Sequence, residues 1–135
     1  MSLPFTVKAR QRVIYGDTDQ MGVVYYANYL RYFELGRLEY FAARGGNYSA
    51  MEAAGLGLPV VQANVEYHAS AKYEDVVLIS THVSEVRRVS LTFDYEIHRE
   101  AGGQRLCSGF TVHACVSKAG RPTRLPAELV ALLTS

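Results

Sequence analysis

One stretch of helical periodicity stands among segments that alternate with period two, and this contrast limits the folds open to the chain. From Tyr26 to Ala43 there is no proline, and Tyr25, Tyr29, Tyr32, Phe33, Tyr40 and Phe41 recur at spacings of three and four. Arg31, Glu34, Arg37 and Glu39 take most of the remaining face. The spacing predicts an amphipathic helix with a broad aromatic stripe. Gly36 falls inside it at a cost of about 1 kcal/mol relative to Ala, which points to another backbone passing close by. Gly45-Gly46 ends the element, and a short helical piece is expected around Ser49–Ala54, closed by Gly55 and Gly57.

The rest of the chain reads as strands. Phe5, Val7, Ala9, Val13 and Tyr15 share one parity against Thr6, Lys8, Arg10 and Arg12. After Pro59 the alternation runs through Val61 to Ala69, Val77 to Val83, Val89 to Ile97 and Leu106 to Val116. Such a period marks strands with one buried face. In the last of them Leu106, Phe110, Val112, Ala114 and Val116 are taken as the apolar face, against Cys107, Thr111 and His113. AGGQ at 101–104 is a hairpin turn between the two last long strands. The tail from Pro126 to Leu133 is expected to form a short helix. Five antiparallel strands with one apolar face need a cover, and the 26–43 helix is the element large enough to provide it. The expected fold is α+β, one domain over 1–135, with a strongly curved five-stranded antiparallel sheet wrapped around one long helix. Its open sheet edge calls for pairing with a second copy.

Charge and cysteines narrow the function. The net charge is +1 and the sequence pI about 7.8, so no strong field favours nucleic acid or an anionic membrane. No run of 18 apolar residues occurs, and MSLPFTVKAR has no apolar stretch ahead of its charges, so a cytoplasmic protein is expected. Cys107 and Cys115 share a strand at a separation of roughly 26 Å, beyond disulfide reach. No CxxC or Cys/His cluster suggests a metal.

Chemistry concentrates where the first strand meets the helix, in Asp17-Thr18-Asp19-Gln20-Met21-Gly22-Val23-Val24-Tyr25-Tyr26. A helix start presents unpaired N–H groups and about half a positive charge. A carboxylate on the incoming loop beside those donors supplies the two parts that acyl transfer requires. Asp17 and Asp19 are also good turn and capping residues. Glu66 shares a polar strand face with Asn64 and His68 and reads as solvated. Glu34 and Glu39 read as surface partners of Arg31 and Arg37. His68, His82, His98 and His113 lie at polar strand parity and read as surface or interface residues, with no histidine near Asp19 in the sequence.

The segment DTDQMGVVYYANYLRYFELGR resembles the signature region of the 4-hydroxybenzoyl-CoA thioesterase family and its bacterial acyl-CoA thioesterase relatives. That pattern runs Asp-x-x-Gly-(Val/Ile)-Val-(Tyr/Phe)-(Tyr/His)-x-x-Tyr into the long helix. VEYHASAKYEDVVLISTHV resembles the family's second strand, small-residue turn and third strand. The resemblance implies the hotdog fold and hydrolysis of an acyl-CoA thioester to a carboxylate and free CoA. It places the catalytic carboxylate at Asp19, the backbone donor for the thioester carbonyl at Tyr26, and the tight substrate-side turn at Gly22. Val23, Tyr25 and Tyr29 are implied to border the substrate. Arg87, Arg88 and Ser90, at a bend between strands, are implied to meet CoA phosphates, with Lys72, Arg121 and Arg124 as weaker candidates. Tyr at position 26, where many relatives have His, points to an aromatic acyl group. No cofactor is implied, since CoA is part of the substrate, and a homodimer or homotetramer is expected. A non-catalytic domain binding acyl-CoA or acyl carrier protein is the alternative from another class.

Overall fold

The computed structural model describes residues 4–45, 51 and 53–134. The strands are β1 (Val7–Arg12), β2 (Val60–Tyr67), β3 (Val76–Val86), β4 (Ser90–Arg99) and β5 (Arg105–Ala114). They form one antiparallel sheet in the order β1-β3-β4-β5-β2. The long helix α1 (Tyr29–Ala43) follows β1, and α2 (Ala127–Thr134) closes the chain. A 3-10 turn over Tyr26–Asn28 leads into α1, so the helix proper begins three residues later than its periodicity suggested. The short helical piece expected around 49–54 falls mostly outside the described residues, as does Gly46.

Helix α1 buries Tyr29, Tyr32, Phe33, Gly36, Tyr40 and Phe41 against the concave face of the sheet. Val77, Ile79, Leu91, Phe93, Tyr95 and Ile97 meet them there, and all are at most 2% exposed. The Phe33 ring stacks on Tyr95 at 4.1 Å and 5°. Tyr25, placed in the stripe by spacing, is instead 44% exposed, because it precedes the first helical turn.

Gly36 does admit a close neighbour, but that neighbour is a side chain. A Cβ there would run into Thr81 Oγ1 and lie 2.9 Å from Ile79 Cγ2. Thr81 Oγ1 is itself buried with no hydrogen-bond partner among the described residues. Gly36→Ala gains about 1 kcal/mol of helix propensity against an overpacking cost of about 1–3 kcal/mol. Its expected outcome is a net loss of stability, seen as a lower urea midpoint. In a Thr81→Ala background that loss shrinks, since the hydroxyl in the way is gone; equal losses in both backgrounds would refute the contact.

From Cys107 onward the parity of β5 is the reverse of the sequence expectation, while Leu106 is buried as expected. Cys107, Thr111, His113 and the following Cys115 are buried, whereas Phe110 and Val112 lie on the outer face at intermediate exposure. Small and polar residues fill the inner positions because the Phe33 and Tyr95 rings already occupy that space. Gly109 marks the tightest point: a Cβ would collide with the Asn64 carbonyl of β2 and lie 3.0 Å from the Phe33 ring. Both cysteines are free, and burial pushes the Cys107 thiol up to about 12 and raises that of Cys115.

The two sheet edges differ. Edge strand β1 carries Lys8, Arg10 and Arg12, charges that discourage further pairing. Edge strand β2 is exposed along nearly its whole length, with Val60 at 46%, Val61 at 61% and Tyr67 at 48%.

Candidate active site

The loop between β1 and α1 is a miniature hairpin. Thr18 and Val24 form a bridge, the Asp19 amide donates to the Val23 carbonyl at 2.9 Å, and the Gly22 amide donates to the Asp19 carbonyl at 3.0 Å. This is a turn closed by a residue in the left-handed region, and Gly22 supplies it with φ of 79°. The Asp19 carboxylate accepts the Met21 amide at 2.8 Å through Oδ1. A Val23–Lys72 bridge and the Val24 amide on the Ala71 carbonyl (2.9 Å) dock the loop against the approach to β3.

The two aspartates do different work. Asp17 is buried, and its Oδ2 accepts the Tyr32 hydroxyl at 2.8 Å and the Ile14 amide at 3.3 Å. Its carbonyl accepts the Tyr25 amide and the Asn28 side chain, both at 2.9 Å. Arg31 stands 4.0 Å from its other oxygen. Burial, and then the bond to Asp17, raise the Tyr32 hydroxyl well above the usual tyrosine range. Asp17 therefore clamps the loop to the helix. Asp19 keeps Oδ2 without a partner among the described residues. Of the pair, it is the carboxylate available for chemistry.

Each aspartate borders its own cavity. The larger, about 490 Å³, runs along α1 past Asp17, Tyr32, Leu35, Leu38 and Phe41 to Leu58 and His113. The smaller, about 320 Å³, is lined by Asp19, Val23, Val24, Tyr26, Tyr29, Tyr67, His68, Ala69 and Ser70. Size favours the first, but its carboxylate is already engaged. The second contains the unengaged carboxylate and the helix start together. The Tyr26 and Ala27 amides precede the first helical hydrogen bond and have no partner among the described residues. Around them Tyr67 donates its hydroxyl to the Tyr26 carbonyl at 2.9 Å, and the Ala71 amide donates to the Tyr29 hydroxyl at 3.1 Å.

Of the residues expected to border substrate, Val23 and Tyr29 line the smaller cavity with Asp19 and Tyr26, and Gly22 shapes its loop. Tyr25 lines neither cavity. Arg87, Arg88 and Ser90 lie at the β3–β4 hairpin, where Arg87 pairs with Glu85. That hairpin is at the far end of β3 from the Val23–Lys72 bridge, and the eleven residues of β3 put it on the order of 35 Å away at about 3.3 Å per residue.

One histidine departs from the surface reading, and one that keeps it borders the candidate site. His113 is 3% exposed inside the core. Its Nδ1 lies 2.9 Å from the Leu58 carbonyl and its Nε2 2.8 Å from Thr111 Oγ1, which lies 2.6 Å from the Tyr95 hydroxyl. Arg37 donates to that hydroxyl at 3.1 Å. A guanidinium can only donate and a carbonyl can only accept, so the chain runs one way from Arg37 to Leu58. Burial lowers the His113 pKa to about 4, which keeps the ring neutral. His68 lies in the Asp19 cavity, brought there across 49 residues by the turn after β2, a proximity that no local spacing encodes. Among the described residues no cluster of three His, Cys, Asp or Glu could hold a metal, and no helix is long and apolar enough to cross a membrane.

A curved sheet around one helix, with an unengaged carboxylate beside bare helix-start amides, is an architecture suited to acyl transfer, and comparison with known proteins agrees. A family model described as the thioesterase-like superfamily matches residues 13–133, and the chain belongs to that superfamily. It is 34% identical over 123 residues to the acyl-CoA thioesterase YbgC of Haemophilus influenzae, covering 89% of this chain and 88% of that one. It is 30% identical over 101 residues to the 4-hydroxybenzoyl-CoA thioesterase of Pseudomonas sp. strain CBS-3, covering 73% and 72%. A structure of a 4-hydroxybenzoyl-CoA thioesterase mutant, with aspartate changed to asparagine and 4-hydroxybenzoyl-CoA bound, superposes with a TM-score of 0.86 at 27% identity, covering 96% of this chain and 99% of that one. The fold is the hotdog fold expected from the sequence.

Proposed function

We propose that this thioester hydrolase cleaves acyl-CoA to a carboxylate and free CoA, with Asp19 as its reactive carboxylate and the Tyr26 amide as donor to the thioester oxygen. The observation that carries the reading is the joint placement of Asp19 and Tyr26 on one small cavity. The helix-start amides stabilise negative charge on the carbonyl oxygen as it forms, where a single such donor is worth about 3 kcal/mol. Asp19 either attacks the carbonyl carbon or removes a proton from a water that does so. In both routes the C–S bond breaks and its electron pair leaves on sulfur as a thiolate; in the first, water then cleaves the Asp19 anhydride, which releases the acyl carboxylate and restores Asp19. The residues named require no cofactor of their own, and a cytoplasmic setting suits such a substrate. An aromatic acyl group fits the Tyr26, Tyr29 and Tyr67 rings around the cavity.

The working form is a dimer paired through β2, able to pair again as a tetramer. The reading rests on the exposed, uncharged run of Val60 and Val61 on that edge. It also gives Arg87 and Arg88 a role: too far from their own Asp19, they would meet the phosphates of a CoA bound at the partner's site.

Thiol release from short, medium, long and aromatic acyl-CoA esters tests the reading. Turnover of at least one ester is expected, with aromatic esters foremost. Binding of these esters without thiol release would replace it with a non-catalytic acyl-CoA domain.

A further inference from the structure

Of the four histidines, the fold brings His68 to Asp19. Strand β2 ends at Tyr67, and the His68 and Ala69 amides both donate to the Leu106 carbonyl, at 2.9 and 3.2 Å. Two donors on one acceptor tighten the backbone and turn it off the strand line. The Ala71 amide on the Tyr29 hydroxyl and the Val24 amide on the Ala71 carbonyl then tie this turn beneath the helix start. Residues 68–70 become the wall of the cavity that Asp19 and Tyr26 also line.

The imidazole is held from one side. Its Nε2 lies 2.9 Å from Ser108 Oγ on β5, and its Nδ1 has no partner among the described residues. A ring secured by one nitrogen presents the other in a defined direction. The assignments above leave one reacting species without a second contact. The helix-start amides serve the carbonyl oxygen and Asp19 serves the carbon or a proton, but the water that completes hydrolysis needs a further acceptor to aim its lone pair.

We propose that His68 holds the hydrolytic water, with Nε2–H donating to Ser108 and the Nδ1 lone pair accepting a hydrogen bond from that water. The imidazole keeps its own proton throughout, and the water's proton passes to Asp19 or to solvent. The inference rests on the thioesterase reading of the Asp19 cavity and adds a residue to it. It belongs to the step in which water attacks, so it acts on kcat; KM is unchanged where Asp19 is the general base and falls with kcat where Asp19 is acylated.

Isosteric replacements distinguish the two ring nitrogens. The amide of His68→Asn sits where Nδ1 was and can accept from water, whereas His68→Gln reaches Ser108 but vacates the Nδ1 place. The probe is whichever acyl-CoA ester wild type turns over fastest, with kcat and KM measured beside Asp19→Asn and Ser108→Ala. On this proposal His68→Gln loses at least about tenfold in kcat with no rise in KM, and His68→Asn stays within about threefold of wild type. A ring that only braces β5 gives the opposite order: His68→Gln close to wild type, His68→Asn and Ser108→Ala impaired. That order, or equal losses in Asn and Gln, overturns the proposal. Because His68 is exposed, both His68 variants should melt with wild type, and circular dichroism checks this and the folding of the other two. An active wild type that needs Asp19 but is indifferent to His68→Gln removes this inference alone. A wild type that releases no thiol from any ester removes the Asp19 reading and this one with it.

Discussion

Asp19→Asn is expected to lower kcat by about 10³-fold or more, with the protein folded and KM little changed. The exchange separates chemistry from structure because the Asp19 carboxylate has one hydrogen bond among the described residues, the Met21 amide on Oδ1 at 2.8 Å. An asparagine carbonyl accepts that amide equally well, and Gly22 still closes the turn at φ of 79°. The variant loses only the charge, which is what a nucleophile or a general base needs. The same exchange at Asp17 should act differently. There the carboxylate accepts from Tyr32 and Ile14 beside Arg31, so losing the charge costs stability, about 1–2 kcal/mol for a charge-assisted bond. Steady-state kinetics and urea melts on both variants check the division. An Asp19→Asn enzyme at wild-type kcat would end the assignment, and Asp17 would become the candidate. The aspartate-to-asparagine mutant in which a related thioesterase holds its 4-hydroxybenzoyl-CoA supports looking for the carboxylate first.

The sequence was legible where one element faces one environment. Helix α1 has a wet face and a dry face, so its spacing of three and four survives. Strand β4 alternates cleanly because Leu91, Phe93, Tyr95 and Ile97 all reach the core. Strand β5 misled because hydrophobicity is a proxy for burial only where volume is plentiful. From Cys107 on, its inner positions face rings from α1 and β4 and are taken by Cys107, Thr111 and His113, while the apolar Phe110 and Val112 are left outside. His113 was misplaced for the same reason: its polar atoms are satisfied by Thr111 and Leu58, and nothing local announces partners 2 and 55 residues away. In the site, the Asp19–Gly22–Tyr26 portion is contiguous and could be read from its motif. His68 and Tyr67 arrive through the tertiary fold, and a linear pattern has no means of joining residue 19 to residue 68.

Gly109→Ala is the substitution expected to do most damage to the fold. Most of the other glycines have space for a methyl group or a flexible neighbour; Gly57, for instance, would place its Cβ 3.6 Å from Val116 Cγ2, an ordinary contact. At Gly109 the obstacle is the Asn64 carbonyl of β2, with the Phe33 ring 3.0 Å away on the other flank. Neither yields cheaply: the carbonyl belongs to the β2–β5 pairing around Val65 and Gly109, and the ring is stacked on Tyr95. The expected loss is about 3 kcal/mol, the upper end of core overpacking, whereas Gly57→Ala should stay within about 0.5 kcal/mol of wild type. The damage should be directional. Relief comes from β2 moving away, and β2 carries both the exposed pairing edge and the turn that delivers Tyr67 and His68 to Asp19. On the proposed pairing through β2, sedimentation velocity should therefore show less dimer than wild type at equal concentration, and thiol release should fall with it. Wild-type stability together with loss of the dimer would place the defect at the subunit edge alone. Wild-type behaviour in both measurements would mean that β2 does not lie against Gly109, and the cavity that joins His68 to Asp19 would go with it.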